Sequence, residues 1–98
     1  MQALEEKIID WGTEKGILPN PDPVAQFGKT IEEVEELAIA IDADDEAGVK
    51  DAIGDIIVTL IMQTQAWGFN LEECMQAAYD EIAGRTGAMV DGVFVKDE

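Results

Sequence analysis

The sequence predicts an all-α protein: a four-helix bundle-like protomer with antiparallel central helices and a short extended tail at the C-terminus. Apolar residues recur at intervals of three and four through most of the chain, which is typical of amphipathic helices. Residues that favour helix ends, such as Gly16, Gly68 and Asn70, stand between these segments. Strand-like alternation is confined to the last part of the chain. With 98 residues, we expect one domain.

The first two helices flank a proline-rich connector. Apolar residues at helical spacing predict a helix over residues 2–15, which ends at Gly16. The sequence PNPDP, residues 19–23, then forms a rigid connection. A second helix is predicted from residue 23 or 24 to about residue 43. Its apolar stripe consists of Ile31, Val34, Leu37, Ala38 and Ile41.

The third helix differs from the others because it is apolar on most of its circumference. It is predicted from residue 46 or 47 to residue 67, and we expect it to be central and buried on all sides. Asn70 is a suitable N-cap for a fourth helix over residues 71–84. After it, MVDGVFV (residues 89–95) predicts a short strand pair or an ordered tail.

The charge balance excludes several functions. Six basic residues oppose 22 acidic ones, a net charge of −16, and there is no histidine. Long nucleic acids and anionic membranes repel such a chain, and catalysis that needs imidazole is excluded. The single Cys74 cannot form a disulfide within the chain, and neither a signal peptide nor a membrane span is evident. We therefore expect a soluble, cytoplasmic protein.

The acidic residues are concentrated in the middle of the chain. Residues 32–55 contain ten acids and one base. Glu33 and Glu36 share one face of the second predicted helix, and Asp51 and Asp55 share one face of the third. A short turn makes the two helices antiparallel neighbours, so the four acids are expected to lie level with one another.

Four convergent carboxylates without a nearby histidine or cysteine suit Mg²⁺ or Mn²⁺. A glutamate-rich run such as EEVEE is also typical of a solvated helix face, which is the alternative interpretation. The matching acids on the next helix favour the metal site, with Glu33, Glu36, Asp51 and Asp55 as its ligands.

Four segments together resemble a known family. These are EEVEE (residues 32–36), KDAIGDIIV (50–58), the preceding QFGKT (26–30) and the C-terminal EIAGRTGAMVDGVFVK (81–96). They are similar to MazG-like nucleoside triphosphate pyrophosphohydrolases of the all-α NTP pyrophosphatase superfamily. The resemblance covers nearly the whole chain, so we expect residues 1–98 to form a single domain of this family. One departure stands out, because the family's ExxD motif has an acid where this chain has Ala52.

The resemblance assigns roles to the acids. It implies that Glu32, Glu33 and Glu36 are catalytic, with Glu32 in a water-positioning role. It implies metal coordination by Glu33, Glu36 and Asp55, with Asp51 as a replacement for the missing acid. A bound divalent cation could neutralise the phosphates and activate a water.

Substrate contacts follow from the same resemblance and from the aromatic content. Phosphate binding is expected mainly from Arg85, with Lys29 and Lys96 as helpers. Among the few aromatic side chains, Trp11 is the candidate for contact with the nucleobase. Each aromatic residue could instead belong to the core or to a subunit interface.

The activity implied by the resemblance is Mg²⁺-dependent hydrolysis of (deoxy)nucleoside triphosphates to the monophosphate and pyrophosphate, which serves nucleotide-pool house-cleaning. The family also implies a homodimer or a dimer of dimers, with a site completed by the partner subunit. Two alternatives remain open. One is an acidic helical protein-interaction module without catalysis, and the other is a phosphoribosyl-ATP type pyrophosphohydrolase.

Overall fold

The fold is all-α with a small C-terminal hairpin, as the sequence predicts. The computed structural model describes residues 2–98. The elements in chain order are α1 (Gln2–Glu14), α2 (Pro23–Asp42), α3 (Glu46–Trp67), α4 (Leu71–Ile82), β1 (Gly87–Val90) and β2 (Val93–Lys96). Within this part of the chain, no helix is both long enough and apolar enough to cross a membrane.

The helix ends follow local capping chemistry. The Asp45 side chain accepts a hydrogen bond from the Gly48 N–H at 3.0 Å and begins α3, which ends at Gly68 in the left-handed conformation. The Asn70 side chain caps α4 through the Glu73 N–H at 2.8 Å. The predicted end of α4 at residue 84 is two residues too far, because the chain turns after residue 82.

Helices α2 and α3 form the best-packed part of the molecule. They are antiparallel neighbours, joined by the short turn at residues 43–45. Ala40 and Ala52 are buried between them, and the hydroxyl groups of Thr30 and Thr59 form a hydrogen bond of 2.8 Å across the pair. The contact between α2 and α3 is therefore the most extensive helix–helix contact in residues 2–98.

Helix α1 covers one side of this pair and completes the core. Leu18, Ile61 and Met62 are the buried centre of that core. The carboxylate of Glu5, which is only 7% exposed, accepts a hydrogen bond from the Leu71 N–H at 2.9 Å. This bond attaches the start of α4 to α1, because it satisfies one of the unpaired N–H groups of a helix N-terminus.

The expectation that α3 is buried on all sides is wrong for the single chain. Ile53 is 45% exposed and Leu60 is 38% exposed, because α1 and α2 cover only part of the circumference and α4 makes slight contact. The predicted apolar stripe of α2 is also largely exposed, with only Leu37 half-buried. Apart from Leu37, the face of α2 that packs on α3 carries small and polar residues: Gln26, Thr30, Glu33 and Ala40.

The C-terminal strands form an antiparallel hairpin. Gly87 pairs with Lys96, and Met89 pairs with Phe94. Asp91 and Gly92 both have positive φ, which matches the twist of a two-residue hairpin turn. All ten residues from 87 to 96 are exposed, and neither strand packs to any extent against a helix of the described chain.

Candidate active site

The predicted acids surround one small cavity between α2 and α3. This acidic cavity has a volume of about 170 Å³. Glu33 and Glu36 line it from α2, and Asp51 and Asp55 line it from α3. The α2–α3 pairing thus brings together the four carboxylates that the sequence groups as metal ligands.

Small residues allow these carboxylates to approach one another. Ala40, Gly48 and Ala52 also line the acidic cavity. A Cβ atom at Gly48 would lie 2.5 Å from the Asp45 carboxylate, so this position has no room for a side chain unless the cap moves. At these three residues the two helices lie close together. The longer acidic side chains of both helices can therefore reach the same space.

The acids repel one another as they stand. Partial desolvation raises the pKa of Glu33, and the nearby carboxylates of Asp55 and Glu36 raise it further. Lys29 opposes this effect, but more weakly than either carboxylate. Repulsion of this kind is relieved by protonation or by a bound cation.

The donor set fits a hard divalent cation. All four side chains offer only oxygen atoms, which Mg²⁺ and Mn²⁺ prefer, and the described chain has no histidine and only an exposed cysteine, Cys74. Within residues 2–98, no three acidic side chains stand close enough to hold a single ion without moving. Metal binding at the acidic cavity would therefore include a movement of side chains on a fixed helical frame.

A family comparison addresses the segment that contains this cavity. The model of the MazG nucleotide pyrophosphohydrolase domain matches residues 25–89, about two thirds of the chain. The protein belongs to the MazG family. No curated protein and no solved structure gives a significant match. The matched segment includes most of α2 and all of α3 and α4, so the whole acidic cavity lies within the MazG domain.

A second cavity adjoins the acidic one. This α1-side cavity has a volume of about 260 Å³, and Glu33 and Asp55 line both cavities. Trp11 and Lys29, two of the predicted substrate contacts, line the α1-side cavity. Trp11 lies on α1, outside the part of the chain that matches the MazG domain.

Glu32 lies beside the cavities rather than in them. Its carboxylate accepts a hydrogen bond from the Lys29 ammonium group at 2.9 Å, and this bond raises the pKa of Lys29. Glu32 lines neither the acidic cavity nor the α1-side cavity. It is therefore in contact with the Lys29 ammonium group, and its predicted role in orienting water stays a prediction.

Arg85 and Lys96 lie away from the acids. Arg85 forms an ion pair of 3.0 Å with Glu81 at the end of α4. Lys96 is at the end of β2, and neither residue lines the acidic or the α1-side cavity. Their contact with phosphate stays a prediction, because neither side chain is near the two cavities in the single chain.

Sequence reasoning missed the residues that set the spacing of the helices. Ala52 stands where the family motif has an acid, and the structure places it at the cavity with only 4% exposure. Asp51, one residue earlier, is exposed and reaches the edge of the same cavity. The polar pair Thr30 and Thr59 was also missed, since helical periodicity counts only apolar residues.

Proposed function

We propose that this protein hydrolyses (deoxy)nucleoside triphosphates to the monophosphate and pyrophosphate in a Mg²⁺-dependent reaction that serves nucleotide-pool house-cleaning. The observation that carries the proposal is that the four predicted ligands, together with Asp45, line one cavity inside the MazG domain. An acidic surface without a cation would repel a triphosphate, so these carboxylates need a cation to serve such a substrate.

The four acids would hold the cation in this proposal. When bound, Mg²⁺ would neutralise phosphate oxygens and lower the pKa of an attacking water. Glu33 and Asp55 would be central ligands, because each lines both cavities. Glu36 and Asp51 would complete the set from the far side of the acidic cavity.

The α1-side cavity would take the remainder of the nucleotide. Lys29, held by Glu32, supplies a positive charge for a phosphate oxygen. Trp11 offers an aromatic face on the same cavity, which suits a nucleobase. The two cavities share a wall, so one extended ligand could contact both.

The proposal includes self-association as a homodimer or a dimer of dimers. Supporting it, apolar side chains on α2 are uncovered in the single chain. They are Val24 (79% exposed), Phe27 (60%), Ile31 (42%) and Val34 (45%). Exposed apolar patches of this kind mark interaction surfaces. Light scattering coupled to size-exclusion chromatography would measure the mass of the assembly in solution and so test the self-association.

A substrate panel tests the reaction. Ordinary and modified NTPs and dNTPs, together with phosphoribosyl-ATP, would be incubated with Mg²⁺ and scored for pyrophosphate against orthophosphate. We expect pyrophosphate and monophosphate in equal amounts. Selective turnover of phosphoribosyl-ATP would change the substrate class, and no turnover of any compound would favour the protein-interaction module.

Matched variants connect the reaction to the acidic cavity. Asp55→Asn and Glu36→Gln should each lower the rate at least about 100-fold, since even indirect partners of a metal typically contribute 10–100-fold. Glu35→Gln on another face of α2 is the control and should keep the wild-type rate. Full activity in both cavity variants would contradict the assignment, as would Mg²⁺ raising their melting temperature as much as that of the wild type.

A further inference from the structure

The α1-side cavity has two chemically different ends. Because α2 and α3 are antiparallel, Glu33 and Asp55 lie at one end of it, next to the acidic cavity. Gln26 and Met62 lie at the other end. The side chains toward that second end are neutral, and the cavity as a whole includes the apolar residues Trp11, Ile17, Val58 and Met62. A ligand that enters from the charged end therefore meets an apolar space with few polar groups.

The carboxamide of Gln26 is an unused hydrogen-bonding group in this space. The chain has five glutamines, and the side chains of Gln63, Gln65 and Gln76 bond to groups of their own chain. Gln26 is half-buried, yet its side chain forms no hydrogen bond within residues 2–98. In this part of the chain, no side-chain nitrogen or oxygen atom is both buried and unbonded. Both amide atoms of Gln26 therefore remain accessible to a ligand.

The other neutral polar group of the cavity is already engaged. The hydroxyl of Thr59 donates to the Ile56 carbonyl at 2.7 Å and bonds to the Thr30 hydroxyl at 2.8 Å. A hydroxyl has a single hydrogen, so these contacts leave Thr59 no donor for a ligand. Gln26 is thus the neutral side chain that can both donate to and accept from a molecule in the α1-side cavity.

The position of Gln26 along α2 matches the order of groups in a nucleotide. Gln26, Lys29 and Glu33 are three and four residues apart, so they follow one line on the helix surface. Lys29 lies about 4.5 Å beyond Gln26 along the helix axis, and Glu33 lies about 6 Å further. The line runs from a neutral amide through a cation to a carboxylate. A nucleotide with its cation at Glu33 and a phosphate at Lys29 has its base toward Gln26.

Trp11 and Gln26 would contribute different things to base binding. Stacking on an aromatic ring is tolerant of base identity, because every base has a π-face. The carboxamide of Gln26 offers two N–H donors and one carbonyl acceptor side by side. Such a group pairs with a base edge that presents a donor beside an acceptor. Trp11 therefore suits affinity for any flat ring, whereas Gln26 suits recognition of the base edge.

We propose that Gln26 recognises the nucleobase, and that the substrates are triphosphates whose base presents a hydrogen-bond donor next to an acceptor. This inference rests on the proposed function, which puts the cation and phosphates at the charged end of the α1-side cavity. It sets nucleotides apart from inorganic polyphosphates and sugar phosphates, which have no such edge. Removing the amide should therefore weaken binding of the base and leave the phosphate contacts intact.

Binding of reaction-product analogues tests this inference without any turnover. Full-length protein with Mg²⁺ would be titrated with dAMP, dCMP, dGMP and dUMP, and with 2-deoxyribose 5-phosphate, which has no base. NMR titration detects weak ligands and gives each affinity. The wild type should bind at least one nucleotide more than about tenfold more tightly than the sugar phosphate, since stacking and edge contacts add.

Gln26→Met is the decisive variant, because it keeps the length of the side chain and removes its hydrogen bonds. It should lower the ratio of nucleotide affinity to sugar-phosphate affinity at least about fivefold, the smaller effect of a bidentate contact to a base edge. Its affinity for the sugar phosphate should stay within about twofold of the wild type. Gln76→Met on α4, outside the α1-side cavity, is the matched control and should keep the wild-type ratio.

The outcomes decide the role of Gln26. A lower ratio in Gln26→Met alone supports base recognition. An unchanged ratio overturns it, as does a wild type that binds no nucleotide more tightly than the sugar phosphate. Equal losses for both kinds of ligand would assign Gln26 to the sugar, the phosphate or the shape of the cavity, and would also overturn it.

Failure of this inference is distinguishable from failure of the proposed function. A wild type that hydrolyses triphosphates, with the same base preference in Gln26→Met, contradicts base recognition by Gln26 and leaves the reaction in place. A wild type that binds nucleotides through Gln26 but releases no pyrophosphate from any triphosphate contradicts the reaction and leaves base recognition supported.

Discussion

The α2–α3 pair and the C-terminal third of the chain, residues 71–98, differ in how much of their surface is buried within one copy. The pair buries Ala40, Ala52 and Thr59 and has a hydrogen bond across its interface. The C-terminal third has no buried residue at all. Both regions follow the same sequence rules for helices and turns, so the difference lies in tertiary packing.

This difference assigns the two regions different roles. The acidic cavity lies between α2 and α3, so a single copy contains the helices that frame it. The C-terminal third, by contrast, forms a helix and a hairpin whose apolar side chains are uncovered in the single chain. Substitutions that distinguish the two regions therefore test how the protein is assembled.

The largest expected effect compares two methionines. Met62→Ala should lower the free energy of unfolding by about 2–5 kcal/mol, because Met62 is only 1% exposed and its loss leaves a cavity. Met89→Ala should cost less than about 0.5 kcal/mol in dilute protein, as for other exposed positions. Urea unfolding at several protein concentrations measures both. A large cost for Met89→Ala in dilute protein would show that the hairpin is packed within one copy.

The second effect is confined to the hairpin. Gly87 faces Lys96, and a Cβ atom there would press on the Val95 carbonyl oxygen and the Phe94 ring. Gly87→Ala should therefore cost roughly 1–3 kcal/mol within the hairpin. Amide hydrogen exchange should show faster exchange in residues 87–96 and unchanged protection in α2 and α3. Lost protection throughout the chain would mean that the two regions unfold together.

Two helix caps give a smaller contrast. Asp22→Ala and Asn70→Ala each remove a side-chain cap, a change that typically costs about 1 kcal/mol. Loss of the Asp22 cap should lower the melting temperature of the whole molecule, because α2 belongs to the packed pair. Loss of the Asn70 cap should mainly accelerate amide exchange in α4. Equal effects on the melting temperature would indicate that α4 is coupled to the pair more tightly than its contacts suggest.

The smallest expected effect depends on pH. Because its pKa is raised, Glu33 binds a proton more tightly in the folded state than in the unfolded state. The stabilisation from that proton is present below the ordinary value of 4.5 and is lost as the pH rises through the raised folded pKa. Glu33→Gln should therefore raise the melting temperature at pH 7, and the difference from wild type should disappear below pH 4.5.

The control for this substitution is Glu35→Gln, which removes a carboxylate of α2 outside the acidic cavity. Thermal scans across pH should show little difference between this variant and the wild type. Added Mg²⁺ should raise the melting temperature of the wild type more than that of Glu33→Gln. A lower melting temperature for Glu33→Gln at pH 7 would show that its carboxylate is stabilised rather than repelled.

Much of the fold could be predicted because it depends on local signals. Gly16, Gly68 and Asn70 mark helix ends through backbone conformation or a capping group, and the structure uses all three. The predicted end of α4 was two residues too far, because its last turn makes few contacts that would fix it. The grouping of the acids was also predictable, since a short turn between two helices places their faces opposite each other.

The sequence by itself determined which segments are helical, where they begin and end to within two residues, and which acids lie on each helical face. Only the tertiary structure decided which faces are covered. Glu33 and Thr30 lie on the packed side of α2, while Ile31 and Val34 remain exposed. Periodicity identifies an apolar stripe but does not say which partner covers it, because burial depends on every element that is close enough to pack. In this protein, uncovered apolar faces remain on α2, α4 and the hairpin, whereas the acids line a cavity at the interface between α2 and α3.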